Sequence, residues 1–123
     1  MKQVLLIFLG GGMGSVLRYL LSNYFNSSEN QLYLGTFLVN IVGCLLLGFV
    51  LGISLKNSWM SSETTLLLGA GFCGGFTTFS TFSVEIHALL RVGNYSMFFV
   101  YMASSILIGV LCVMLGLWLS KGI

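Results

Sequence analysis

Residues 33–55, YLGTFLVNIVGCLLLGFVLGISL, contain no charged side chain and no proline. About 20 apolar residues cross the hydrocarbon core of a bilayer as a helix. At that depth only helices and closed barrels satisfy every backbone N–H and C=O. The stretch therefore reads as a transmembrane helix. Runs at 3–22, 64–91 and 96–120 follow the same pattern, separated by polar breaks at 26–31, 56–63 and 91–94. Only 7% of the chain is charged, against about 25% in an ordinary globular protein, so a soluble core is the wrong frame. The expectation is an all-α integral membrane protein, a single domain over residues 1–123 with four transmembrane helices.

The opening MKQVLLIFLGGGMGSVLRYLL resembles a signal peptide in its first residues. Its apolar pattern continues past Arg18, and no small-residue cleavage signature ends it, so it is expected to stay as the first helix. Cys44, Cys73 and Cys112 all fall in apolar runs without metal-ligand or disulfide spacing and read as small buried hydrophobes. Four spans place both termini on one side, with Lys2, Lys56 and Lys121, and leave Arg18 and Arg91 on the other. Orientation follows the Lys/Arg asymmetry of short loops, and this chain has almost none. The expectation is insertion in both orientations and an antiparallel pair of copies. Gly10 with Gly14, Gly11 with Ser15, Gly48 with Gly52, and Gly71 with Gly75 are small residues at four-residue spacing, a pattern that lets membrane helices touch closely.

The third run carries GFCGGFTTFSTF near its middle. Gly74 and Gly75 weaken the helix, and four hydroxyls follow at Thr77, Thr78, Ser80 and Thr81. Irregular backbone at this depth persists only where protein or a watery cavity satisfies it, and broken membrane helices use freed carbonyls to hold cations. A break near 74–78 is expected, with carbonyls of two inverted copies caging one small cation. The plainer alternative is a continuous helix whose hydroxyls bond back to its own carbonyls. Phe79 and Phe82 share a helical face. Either they pack, or their positive ring edges line a route for a small dehydrated anion.

Asn40 is the one amide within the second run, either an anion donor or an interhelical bond. Tyr101 and Ser105 share one face of the fourth run, and Gly109 continues that stripe without a donor. Arg18 is either a snorkelling anchor or a charge near a pore mouth. Glu85 shares a face with Thr81 and Phe82 and reads as a residue that lines a vestibule, whereas His87 reads as interfacial. No nucleophile–base set, metal-ligand spacing or phosphate loop appears; GGGMG has no preceding strand and does not read as a nucleotide site.

Together, GGGMGSVLRYLL, GTFLVNIVGCLLLG and GFCGGFTTFSTFSVE resemble the signature segments of the Fluc (CrcB) fluoride channel family, over nearly the whole chain. The resemblance implies a passive fluoride channel of the inner (plasma) membrane, a homodimer of antiparallel subunits with two fluoride pathways. It implies a structural sodium ion at the centre, held by the main-chain carbonyls of Gly74 and Thr77. It also implies that Phe79, Phe82, Asn40, Ser80, Thr81, Tyr101 and Ser105 line the pathways, with Arg18 near the vestibule. Gly109 departs from the pattern, which has a hydroxyl there. Hydrogen fluoride enters cells neutral and dissociates, trapping the anion; a channel lets it leave, driven by the membrane potential. Partners beyond fluoride, lipid and a second copy are not expected, nucleic acid included.

Two other readings compete with this one. A small multidrug exporter would need an acidic residue inside the first helix, and there is none. A non-transporting structural subunit would explain the glycines but not the clustered hydroxyls and rings. An enzyme has no catalytic constellation to stand on.

Overall fold

The computed structural model describes residues 1–26, 33–56 and 60–122. Four helical passes are long and apolar enough to cross a membrane: Lys2–Phe25, Leu34–Lys56, Ser62–Arg91 and Tyr95–Gly122. The first two are the uninterrupted helices α1 (Lys2–Phe25) and α2 (Leu34–Lys56). The third is built in pieces. It opens with α3 (Ser62–Thr65), capped by Ser61 Oγ accepting from the Thr64 amide at 3.1 Å. A wide-turned i→i+5 stretch, Leu66–Cys73, runs into the single turn α4 (Gly74–Phe76). Thr77 and Thr78 are extended, and α5 (Phe79–Arg91) resumes the pass. The fourth is α6 (Tyr95–Leu119), ending in a tight turn to Gly122.

The interruption falls where the hydroxyl-rich sequence puts it, but not on the glycines. Gly74 and Gly75 stay helical, and the extended residues are the two threonines. Of the expected polar breaks, 27–31 and 57–59 lie outside the described residues. The break at 91–94 is a sharp reversal. Gly93 has φ +74, a left-handed conformation that suits glycine after a helix C-terminus, and the Asn94 amide bonds back to the Leu89 carbonyl at 3.0 Å. Asn94 Oδ1 then caps α6 by accepting from the Met97 amide at 3.2 Å.

Close approach explains the small residues. A Cβ on Gly10 would fall on the Leu67 carbonyl oxygen, one on Gly14 on that of Phe72, and one on Gly75 on that of Gly11. The seam between α1 and the first half of the third pass is therefore backbone against backbone, as the glycine spacing anticipates. A second such seam joins α2 to α6. Gly48 lies against the Val113 carbonyl, and Gly116, which its sequence context did not single out, lies against that of Leu45. Lipid supplies no hydrophobic drive between helices, so contacts of this kind and interhelical hydrogen bonds hold the bundle. Phe8, Val16, Leu20, Leu107, Leu111 and Trp118 remain exposed on the outside of α1 and α6.

Both termini meet at one end. Lys2 Nζ lies 2.7 Å from Glu63 Oε2, and Lys56 Nζ donates to the Lys121 carbonyl at 2.6 Å. The break between α4 and α5, near the middle of the third pass, is the feature around which the polar groups gather.

Candidate functional site

Breaking a helix at membrane depth strands amides and carbonyls, and each needs a partner. Asn40 supplies two of them. Its Oδ1 accepts from the Thr78 amide at 2.7 Å, and its Nδ2 donates to the Thr78 carbonyl at 3.1 Å. One side-chain amide thus clasps one residue through both of its main-chain groups, a pairing α2 offers because Thr36, Asn40 and Gly43 share a face. Gly43 leaves the room: a Cβ there would collide with the Thr77 methyl group.

The restart of the helix is self-capped. Thr78 Oγ1 accepts from the Thr81 amide at 3.2 Å, donates to Thr81 Oγ1 at 3.0 Å, and lies 3.3 Å from Ser80 Oγ. Thr77 does what the plainer sequence reading gave to all the hydroxyls, bonding back to the Cys73 carbonyl at 3.0 Å. The Gly75 carbonyl is taken up from α1, by Arg18 Nε at 3.1 Å and Ser15 Oγ at 3.3 Å.

Besides the Gly75 carbonyl, those of Gly74 and Thr77 leave the helical ladder. The amide that a continuous helix would send to the Gly74 carbonyl is that of Thr78, now on Asn40. The amide due to the Thr77 carbonyl is that of Thr81, now on Thr78 Oγ1. Gly74 is exposed on the open side of the protomer. Released carbonyls of a broken helix are the donor type that holds alkali cations, so the residues fit such an ion.

A cavity of about 300 Å³ opens beside the break, lined by Asn40, Thr77, Thr78, Phe79, Phe82 and Ser105 among others. The Phe79 and Phe82 ring centroids are 6.0 Å apart and the rings tilt by 46°. Their surroundings differ sharply: Phe82 is 8% exposed and Phe79 80%. Ser105 Oγ is buried with no hydrogen-bond partner among the described residues, an acceptor and donor in want of a ligand. Tyr101 lies one layer beyond, its ring edge-on to Phe82 at 5.2 Å.

The Tyr101 hydroxyl has a partner that sequence reasoning did not assign. It donates to Glu85 Oε2 at 2.8 Å, while Glu85 Oε1 accepts from Thr36 Oγ1 at 2.6 Å and Asn26 Nδ2 at 3.4 Å. Asn26 Oδ1 also accepts from the amides of Gly35 at 2.7 Å and Thr36 at 3.3 Å, capping α2 from the end of α1. Glu85 is thus a buried carboxylate held by neutral donors from three other helical passes. The sequence signal for it was the i, i+4 row Thr81–Glu85, which gave the face but not the partners across it.

The expected site residues accordingly divide into groups. Asn40, Phe79, Phe82, Thr77 and Ser105 meet at one cavity. Ser80 and Thr81 join it through Thr78, and Tyr101 through Phe82. Arg18 reaches the break from α1, whereas Gly74 is exposed. Gly109 is buried with Cys44 Sγ 3.6 Å from where its Cβ would stand, so a thiol faces the gap in the hydroxyl row. His87 is exposed.

The comparisons with known proteins agree with one another. Residues 5–117 match the family model described as CrcB-like protein, Camphor Resistance (CrcB). A protein of Phocaeicola vulgatus named fluoride-specific ion channel FluC is 48% identical over 122 residues, covering 98% of this chain and all of that one. Proteins of the same name from Gloeothece citriformis and Oceanobacillus iheyensis are 45% and 46% identical, over 98% and 89% of this chain and 98% and 84% of their own.

Proposed function

The chain belongs to the CrcB family, and from that premise we propose that it is a fluoride-selective channel, letting cytoplasmic fluoride leave the cell passively across the plasma membrane. The observation that carries the reading is the break at Thr77–Thr78, clasped by Asn40 and opening on a cavity walled by two phenylalanines. Neutral donors and ring edges suit a small, strongly hydrated anion. They replace part of its water without binding it too tightly to release. Asn40, Phe79, Phe82, Ser105, Ser80, Thr81 and Tyr101 form the pathway lining in this reading, with Arg18 adding positive charge on the side of the break.

The channel works as a pair of antiparallel copies. Phe79, largely exposed on a single protomer, then stands against the partner subunit rather than against acyl chains. The near balance of basic residues between the two ends supports insertion both ways. The carbonyls of Gly74 and Thr77 from both copies would hold a sodium ion on the two-fold axis. When bound, that ion supplies a fixed positive charge and ties the two breaks together. Neither the buried Glu85 nor any other acidic group lies in the first, second or fourth pass to drive proton coupling, in keeping with passive flow.

Fluoride efflux from liposomes containing only this protein, followed with a fluoride electrode, tests the proposal. Efflux set by the imposed potential is expected, with chloride far slower. Liposomes that retain their fluoride, or that release chloride as readily, would overturn it.

A further inference from the structure

GGGMGSVLR, the least specific of the matching segments, has a defined physical task in the fold. Gly11, Ser15 and Arg18 are four and three residues apart and so lie along one face of α1. All three meet Gly75. The Gly11 backbone touches the Gly75 backbone so closely that a Cβ on Gly75 would collide with the Gly11 carbonyl. Ser15 Oγ and Arg18 Nε donate to the Gly75 carbonyl at 3.3 and 3.1 Å.

That carbonyl is a casualty of the break. In a continuous helix it would accept from the Phe79 amide, but Phe79 begins the next helix. Left unpaired at membrane depth, it would turn toward whatever donor or cation is near. The ladder is also interrupted at the preceding oxygen, that of Gly74, and two residues on, at that of Thr77.

We propose that Arg18 is a positioning residue that acts through the location of its Nε donor. With Ser15 it pins the Gly75 carbonyl toward α1, which fixes the orientation of the peptides around it and keeps that oxygen out of the central site. The guanidinium charge is secondary to this role. The inference rests on the channel reading but is separable from it.

Side-chain geometry provides the test. Gln carries its Nε2 the same number of bonds from Cα as Arg carries Nε. Arg18→Gln therefore keeps a donor in place and removes the charge. Arg18→Lys keeps the charge and moves the donor one bond further out, and Arg18→Met removes both. Fluoride efflux and thermal unfolding of the purified protein are measured on all three.

The expected order is Gln above Lys above Met in both assays. Arg18→Gln should lose at most about threefold in efflux and Arg18→Met at least about tenfold, since an unmade bond to a half-buried carbonyl costs more than a weakened one. Lys above Gln in efflux would assign the role to charge and overturn the inference. Three variants all matching the parent would reduce Arg18 to a surface anchor and overturn it equally. A parent protein without efflux would sink the channel reading alone, because the order of unfolding temperatures still decides where the donor matters.

Discussion

Asn40→Asp separates the two duties assigned to Asn40. The substitution is nearly isosteric, and ionised Asp keeps an oxygen to accept from the Thr78 amide, now at 2.7 Å from Asn40 Oδ1. It loses the donor that reaches the Thr78 carbonyl at 3.1 Å and sets a negative oxygen against that carbonyl instead. One lost bond with its carbonyl left unpaired costs about 1–3 kcal/mol of stability. The second effect is on the anion. A carboxylate about 5 Å from fluoride, at an effective dielectric of about 20, repels it by about 3 kcal/mol, or roughly a hundredfold in occupancy. Thermal unfolding reads the first term alone, and fluoride efflux from liposomes at neutral pH reads both. The expected result is a modestly less stable protein whose efflux falls by far more than its stability does. Normal efflux from the folded variant would show that Asn40 does not face the anion. An unchanged unfolding temperature would show that the clasp on Thr78 is not holding the break.

Phe79→Ile and Phe82→Ile keep apolar bulk but remove the ring edges; fluoride efflux should fall sharply while size-exclusion chromatography shows an unchanged assembly. Tyr101→Phe removes one donor from the buried Glu85 carboxylate, and unfolding measurements should report a loss of about 1.5–3 kcal/mol, the range for a bond to a charged group. Gly14→Val should destabilise by at least about 1–3 kcal/mol, because its Cβ meets the Phe72 backbone, which cannot move aside as a side chain does. Gly12→Val, with open space where its Cβ would stand, should leave the unfolding temperature unchanged.

The four passes were legible in the sequence because hydropathy reports the solvent a segment meets, and here the solvent is lipid. The region of the break was legible too, since glycines beside a cluster of hydroxyls conflict with a plain span. Which residues are extended was not, because Gly75 serves contact with α1 instead of flexibility and Gly74 stays in the helical turn beside it. The wide-turned stretch Leu66–Cys73 left no trace in LLLGAGFC, an ordinary apolar run. Periodicity places a side chain on a face but says nothing of what that face meets. For that reason the sequence left Arg18 between anchor and mouth, and Glu85 on a vestibule face without partners. Their partners, Gly75 on another pass and Tyr101 with Thr36 on two others, are known only once the helices are packed.

The seam between Gly10 and Arg18 makes length, as well as chemistry, a constraint. Each α-helical residue turns the chain by about 100° and advances it about 1.5 Å. Inserting a single residue between Gly14 and Arg18 would swing the guanidinium off Gly75 without changing one atom of it. An insertion between Gly10 and Gly14 would drive a larger side chain into the peptide planes opposite. Engineering this helix for a thicker bilayer therefore has to add turns before Gly10 or after Arg18, leaving the nine positions between them, 10 through 18, as a ruler of fixed length.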